Sequence, residues 1–470
     1  MQPPAGPRFF PRLLGQLGLV FSLLTLFVPR NWPLQRVEFP GIYVELTSLN
    51  LRLADFGLLL LLMAFLWPAG PRYWPALRRS PIWLPLCALV ILASLSLNWA
   101  REPILAWQYT IYLALLLASF YLIHWLAPAP RLVQGALLLA LAGQSIVAGL
   151  QFWRQDDLGL YWLGEVDLNR YPGGGSILAV GEQFWLRAYG LTNHPNLLGG
   201  FLALAILLLL GGSLRPGRLA WPLRLGLLLG CAALVLSFSR AAWLGLLAGF
   251  LFLALLLGSR AAWRQQYGRS LLLGAAFCCV GGLLALIPTR ELLFTRLQPT
   301  VNEFETRSLS ERDALRAAAW AAYGAAPWTG VGAGNGTVAV APLIGEQAAV
   351  APQPVHQVPL LLLLELGPAG AALWLLLMIL PPGYTLYLCW RQPERVTPWL
   401  LALSAALLAY GLIDFYDYYA WGWAPGRHWR WLLWAFWSLA VSYRPVDARS
   451  DYDNAVSTAP DPGDPRAQNR

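Results

Sequence analysis

Lysine is absent from this 470-residue sequence, so all 33 of its basic side chains are arginines. Charged residues make up only 12% of the chain, which is about half of what a soluble domain carries. Apolar residues make up 57%, and the mean hydropathy is +0.52. This shortage of charge excludes a set of soluble domains and indicates a polytopic membrane protein. Codon bias in a GC-rich genome explains the missing lysine.

Other absences reduce the number of functions that the sequence allows. No basic run precedes the tail despite the net charge of +9, so we predict no nucleic-acid partner. The five cysteines form no CxxC pair and have no histidine at metal-ligand spacing, which predicts no disulfide framework and no metal site. Internal repeats, which are common in transporters, are also missing.

Long apolar runs are what the chain has in abundance. A membrane-spanning helix needs about 20 apolar residues, and the sequence contains about twelve such segments. The first follows two arginines but lacks a small-residue cleavage site, so we expect a retained helix instead of a signal peptide. The predicted segments are 12–29, 51–69, 81–98, 104–125, 131–151, 195–212, 221–238, 241–258, 270–288, 357–381, 398–414 and 429–443.

Arginine placement predicts the orientation. With the N-terminus inside, short cytoplasmic loops carry 16 arginines and short outer loops carry 10, in agreement with the positive-inside rule. The prediction is an all-α protein with one polytopic membrane domain over residues 1–443. Its Pro-, Asp- and Ser-rich tail, residues 444–470, is predicted to be a disordered cytoplasmic segment.

Two predicted outer-face loops, 152–194 and 289–356, hold most of the polar residues. In the second, Ser-Glu-Arg-Asp at 310–313 is typical of a helix start. Arg312, Arg316 and Trp320 follow at helical spacing and share one face. We expect that helix to lie at the membrane surface.

The four histidines divide into two pairs. His194 and His356 lie where the outer loops re-enter the membrane, at a boundary where a base can meet a substrate on a lipid carrier. His124 and His428 stand beside tryptophans near the ends of apolar runs. For these two, packing at the membrane interface is the simpler interpretation.

Several charges lie at or inside the apolar runs. Arg240 separates two of them with almost no loop, where a cation costs several kcal/mol unless it is paired or faces a cavity. Snorkelling of its side chain to the headgroups is the alternative. Asp414 and Asp417 lie at the end of a span. Glu365 lies inside one and is either a structural hydrogen-bond acceptor or a catalytic group.

The glycine-rich segment Gly-Val-Gly-Ala-Gly-Asn at 330–335 superficially resembles a nucleotide-binding loop. The dinucleotide fingerprint requires a preceding strand, whereas here a predicted helix precedes. We therefore predict a turn that lets the backbone approach another part of the protein closely.

Four motifs in order resemble the O-antigen ligase and polymerase superfamily of bacterial membrane glycosyltransferases. The resemblance covers roughly residues 185–420, including Gly411-Leu-Ile-Asp414 near its end, and Leu373 departs from the family's usual Gly, Thr or Val. The motifs are Arg187-Ala-Tyr-Gly-Leu-Thr-Asn-His-Pro-Asn196, Ser237-Phe-Ser-Arg240, the Arg312 helix running into Pro327-Trp-Thr-Gly-Val-Gly-Ala-Gly-Asn335, and His356-Gln357 with Gly367-Pro-Ala-Gly370.

The resemblance implies a lipid-carrier-dependent (GT-C-like) glycosyltransferase with a large outer-face loop, in the bacterial inner membrane. Such enzymes transfer a glycan from undecaprenyl pyrophosphate to an acceptor without nucleotide or metal. Arg187 and Arg240 would hold the pyrophosphate, and His356 would act near the acceptor. Arg312 is a weaker candidate because Arg316 could replace it. His194 and Asn196 are the remaining candidates for substrate binding.

Three questions stay open at the sequence level. The acceptor can be a glycan, a lipid or a protein, and no residue specifies which. A polymerase joins repeat units, whereas a ligase uses a different acceptor. The alternative from another class is a transporter or flippase of lipid-linked sugars.

Overall fold

The computed structural model describes residues 9–67, 77, 80–171, 175–180, 182–297, 303–344 and 351–442. The predicted disordered tail lies outside this part of the chain. The described helices, in chain order, are α1 Phe9–Thr25, α2 Val44–Thr47, α3 Leu53–Leu66, α4 Trp83–Leu95, α5 Pro103–Leu126, α6 Pro130–Arg154, α7 Pro195–Ser213, α8 Ala220–Leu236, α9 Arg240–Gly258, α10 Ala261–Leu286, α11 Arg290–Leu297, α12 Glu303–Gly324, α13 Gly336–Val340, α14 Val358–Arg391, α15 Pro398–Ile413, α16 Tyr419–Gly422 and α17 Ala424–Ser442.

Each of the twelve predicted apolar segments overlaps one of the long helices. Within the described ranges, six helices are long and apolar enough to cross a membrane: α5, α6, α7, α9, α10 and α14. Five shorter apolar helices accompany them. The chain is therefore a mainly helical, multi-pass membrane protein.

Two short antiparallel hairpins, which the sequence did not predict, interrupt the helical pattern. Strands β1 Asn31–Gln35 and β2 Leu49–Arg52 pair between α1 and α3. Strands β3 Ile177–Val180 and β4 Gln183–Leu186 pair inside the predicted outer loop 152–194. Strands of four or five residues are too short to produce a clear alternation of apolar and polar positions.

Three expected boundaries were wrong. Helix α12 begins at Glu303, and the Ser310 hydroxyl donates to the Arg307 carbonyl inside the helix (2.8 Å). A serine hydroxyl can bond back to the preceding turn as well as cap a helix, so the capping pattern was misleading. Helix α14 continues past two prolines to Arg391. Helix α17 begins at Ala424, five residues before the predicted segment 429–443, so His428 lies in its first turns.

Helix α7 forms the centre of the bundle. It is apolar around its whole circumference and nearly every residue is buried, as expected for a helix surrounded by others. Its neighbours are α6, α8, α9 and α15. Residues at the start of α7 are therefore held by several helices at once.

The segments predicted to face outward meet at one end of the bundle, which we call the loop-rich end. The Trp99 indole donates to the Thr329 carbonyl (3.0 Å). The Arg101 amide donates to Val331 (2.9 Å). The Val358 amide donates to Asp414 (2.8 Å). These bonds join segments that are distant in sequence into one framework.

At the opposite end, arginines bind the carbonyls of helix C-termini. Arg224 donates to Ser213, the last residue of α7 (3.3 Å). Arg260 donates to Cys389 near the end of α14 (2.6 Å). Arg395 donates to Val441 near the end of α17 (2.7 Å). Cations at helix C-termini satisfy free carbonyls and oppose the helix dipole, so these arginines also stabilise the fold.

Candidate functional site

A cavity of about 740 Å³ opens at the loop-rich end. Its wall is formed by the β1–β2 segment, one face of α5, the start of α7 and the segment from Asp417 to Arg427. His194, Asn196 and His356 all line it. The structure therefore brings three of the predicted site residues to one cavity.

Arg187 is buried, with 4% of its surface exposed, and it joins three parts of the chain. Its Nε donates to the Ser237 carbonyl (2.9 Å), one terminal nitrogen to Ser176 Oγ (2.9 Å), and the other to Asn196 Oδ1 (2.8 Å). Burial lowers the pKa of Arg187 to about 10, so the side chain is still a cation at neutral pH. Protein groups thus already bind all three of its nitrogens.

Asn196 links Arg187 by hydrogen bonds to the segment between α15 and α16. Its Nδ2 donates to Asp417 Oδ2 (2.9 Å), while its backbone amide donates to His194 Nδ1 (3.1 Å). His194 is the N-cap of α7, and Pro195 occupies the first helical position, where its missing N–H costs nothing. The start of α7 therefore fixes Asn196 between Arg187 and Asp417.

The turn at residues 237–239 brings the start of α9 close to Arg187. Phe238 has φ of 49°, a left-handed conformation that costs an ordinary residue about 1–2 kcal/mol. Its ring is fully buried and packs against Phe152 and Trp243. Arg187 holds the Ser237 carbonyl on the other side. This turn places Arg240 as the first residue of α9.

Arg312 and Arg316 do not occupy equivalent environments. Arg312 is half-buried, and burial lowers the pKa of its guanidinium while Asp417 raises it. Arg316 is 47% exposed and pairs with Asp313 (3.3 Å) on the helix surface. Arg312 therefore belongs to the charge cluster around Asp417, and Arg316 lies outside it.

His356 precedes α14 and packs edge-on against Tyr418, with 4.9 Å between ring centroids. Its Nδ1 is buried and accepts or donates no hydrogen bond within the described residues. Burial, then the charges of Arg312 and His194, hold the pKa of His356 well below 6.5. The shift favours the neutral form of the imidazole, which is the form that can act as a base.

Asp417 is the carboxylate of this cluster. It is buried, and its Oδ1 accepts the Tyr418 amide (2.9 Å). Burial raises the pKa of Asp417, and the nearby Arg312 guanidinium opposes that rise. From the sequence, Asp417 was only one of several carboxylates near a span, since nothing there showed that Asn196 and Arg312 would meet it.

Glu365 binds the glycine-rich turn and Trp421. Its carboxylate accepts the amides of Gly334 (2.7 Å) and Gly336 (3.1 Å) and the indole N–H of Trp421 (2.8 Å). A Cβ at Gly330 would lie 2.5 Å from the Glu365 carbonyl carbon. The prediction of a turn with close backbone approach at 330–335 is confirmed, and α14 is the element it approaches.

The remaining candidates hold the bundle together. Asp414 pairs with the buried Arg430 and accepts the Trp374 indole N–H (3.2 Å). His124 bonds to the Phe120 carbonyl and to Ser438 Oγ, both at 2.8 Å. His428 is 1% exposed. Both histidines are buried inside the bundle, each near one end of its helix.

Three arginines in the cavity wall, Arg30, Arg52 and Arg427, were missed. Arg52 ends strand β2 and Arg427 lies in the first turn of α17, and both line the cavity. In the sequence they were only markers of orientation, since no motif surrounds them. No three His, Cys, Asp or Glu side chains in the described ranges are grouped so that they could hold a metal ion.

Fold and site together define a multi-pass membrane protein in which cations, an amide and a neutral imidazole surround one polar cavity. Residues 225–375 match the family model described as O-antigen ligase, which confirms the resemblance for that segment and implies a glycosyltransferase-like enzyme. The matched segment includes Arg240, Arg312 and His356. A search of curated proteins finds no match to the chain.

Proposed function

We propose that this protein transfers a glycan from undecaprenyl pyrophosphate to an acceptor hydroxyl on the outer face of the cytoplasmic membrane. The observation that carries the proposal is the position of His356, a neutral imidazole in the wall of a polar cavity. The charge of Arg312 acts on His356, and Asp417 interacts with the same guanidinium. The match to the O-antigen ligase family supports the reaction class.

The reaction forms a bond between the acceptor oxygen and the anomeric carbon of the glycan. The bond between that carbon and the pyrophosphate oxygen breaks, and the pyrophosphate leaves with the electron pair. The acceptor proton passes to His356. Negative charge grows on the leaving group, so guanidinium groups that bind it through paired, charge-assisted hydrogen bonds accelerate the step.

The arginines have two different roles in the proposed reaction. Arg240 and Arg312 bind the pyrophosphate in the proposal. Arg187 acts as a positioning residue, because its nitrogens already bind Ser237, Ser176 and Asn196. It thereby orients both the turn before Arg240 and the amide of Asn196.

Donor binding also makes His356 a stronger base in the proposal. The cationic Arg312 and burial depress the pKa of His356, which alone would make it a weak base. A bound pyrophosphate brings negative charge next to the same cation and raises the pKa of His356 toward its ordinary value of about 6.5. The imidazole therefore becomes a better proton acceptor when the donor is in place.

The test is reconstitution of the purified protein in lipid nanodiscs with undecaprenyl-pyrophosphate-linked oligosaccharide and candidate acceptors, followed by sizing of the products. A new glycosidic bond is the expected result. A ladder of products identifies a polymerase, and a single addition identifies a ligase. In vesicles, movement of the carrier across the membrane with no new bond would contradict the proposal and support a transporter.

A further inference from the structure

The cavity contains a second cationic cluster, separate from the residues assigned to the pyrophosphate. Arg427 lies with its guanidinium carbon 4.0 Å from the ring centre of Tyr109 and 4.8 Å from that of Tyr112. Arg52 donates to the Tyr112 hydroxyl (3.1 Å). Tyr112 therefore contacts both arginines, one from the β1–β2 hairpin and one from α17.

These two cations lack a matching anion. Neither forms a salt bridge in the part of the chain that the structure describes. Arg427 is 6% exposed, it donates to the Trp421 carbonyl (3.0 Å), and its Nε has no hydrogen-bond partner among the described residues. A buried cation without a salt-bridge partner is costly, and a ligand anion would offset that cost.

The carboxylates in the neighbourhood are already engaged. Asp55 accepts the backbone amide of Arg52 (2.8 Å). Glu365 accepts three hydrogen bonds from the glycine turn and Trp421. Asp55 and Glu365 attract Arg52 and Arg427 electrostatically, but within the described residues neither carboxylate forms a salt bridge with these guanidinium groups, so N–H donors of both arginines can still bind an anion in the cavity.

We propose that Arg52 and Arg427 bind an anionic group, a phosphate or a carboxylate, carried by the acceptor glycan. This inference rests on the proposed function and adds to it a class of acceptor. Arg187 and Arg312 interact with Asn196 and Asp417, whereas Arg52 and Arg427 lie against Tyr109 and Tyr112. Arg52 and Arg427 line the cavity, and Arg187, Arg240 and Arg312 do not. The donor pyrophosphate and the acceptor anion thus have separate groups of cations.

The test compares two short lipid-anchored acceptors that differ only by one phosphate group. For the Arg52→Gln variant, we expect the KM for the phosphorylated acceptor to rise about 10- to 100-fold, because a charge-assisted hydrogen bond is lost. The KM for the unphosphorylated acceptor and the donor affinity should stay unchanged. Arg36→Gln in the same hairpin segment, where Arg36 is exposed and paired with Glu38, is the matched control. A uronic-acid acceptor in a third arm separates carboxylate from phosphate binding.

Equal use of both acceptors by the wild-type protein would overturn the inference, as would an effect of Arg52→Gln on donor affinity alone. Calorimetric binding of the same acceptors provides a readout that needs no catalysis. If the wild-type protein shows no transfer, the proposed function fails. Tighter binding of the phosphorylated acceptor that is lost in Arg52→Gln would still support the anion site, and equal binding would still overturn it.

Discussion

Asn196 donates a hydrogen bond of 2.9 Å to Asp417, a residue 221 positions further along the chain. This contact ties the first motif of the family resemblance to the segment between α15 and α16. Asn196 also accepts from Arg187, so one amide separates a buried cation from a buried carboxylate. The geometry of the whole charge cluster depends on that amide.

Asn196→Ala should therefore harm both stability and activity. Removing the amide takes one hydrogen bond from Arg187 and one from Asp417, and an unsatisfied buried polar atom costs about 1–3 kcal/mol. Transfer should fall at least tenfold. Thermal unfolding and transfer assays measure the two effects, with Asn98→Ala as the control, since Asn98 bonds only to a carbonyl of its own turn. A variant with unchanged unfolding and transfer would contradict the assigned role.

Lysine substitutions should distinguish Arg187 from Arg240. Arg187 binds three acceptors in different directions, and an ammonium group on a flexible stem cannot replace a planar fork there. Arg187→Lys should lower the unfolding temperature as well as kcat. Arg240→Lys should weaken donor binding and slow transfer while unfolding stays unchanged. Full activity of Arg240→Lys would mean that a point charge suffices and that paired hydrogen bonds are not needed.

The acid limb of the pH profile should depend on Arg312. That cation depresses the pKa of His356, so Arg312→Gln should raise this pKa. The imidazole would then be protonated, and lost as a base, at a higher pH. We expect the acid limb of kcat/KM to move to higher pH in Arg312→Gln and to stay in place in Arg316→Gln. An unmoved limb in Arg312→Gln would exclude this coupling.

Gly330→Ala should destabilise the turn at residues 330–335, which supports the site. Gly330 has φ of +68°, and an added Cβ would meet the Glu365 backbone at 2.5 Å. Displacement of the 330–335 turn removes hydrogen bonds that Glu365 makes to it, so we expect a loss of about 2–4 kcal/mol. Gly324→Ala is the matched control, because nothing lies within 4 Å of its added Cβ. Denaturant unfolding in detergent compares the two, and similar values would contradict the account of the turn.

The helices could be predicted from the sequence because apolar runs of the right length are a direct signal. The positions of Arg187, Arg240 and His356 at the ends of those runs were also readable. The residues that these side chains contact could not be predicted from the sequence. Asp417 meets Asn196 only because α7 and the end of α15 pack together, and Arg52 meets Tyr112 only through the hairpin before α3. Contacts of this kind depend on tertiary packing, which local sequence patterns do not reveal.

The most direct measurement of the central claim is single-turnover transfer by His356→Ala in nanodiscs loaded with undecaprenyl-pyrophosphate-linked oligosaccharide and acceptor. We predict that the variant binds the donor with wild-type affinity and forms the new glycosidic bond about 10²- to 10⁴-fold more slowly, as expected for loss of a general base. Bond formation at the wild-type rate would show that His356 does not accept the acceptor proton.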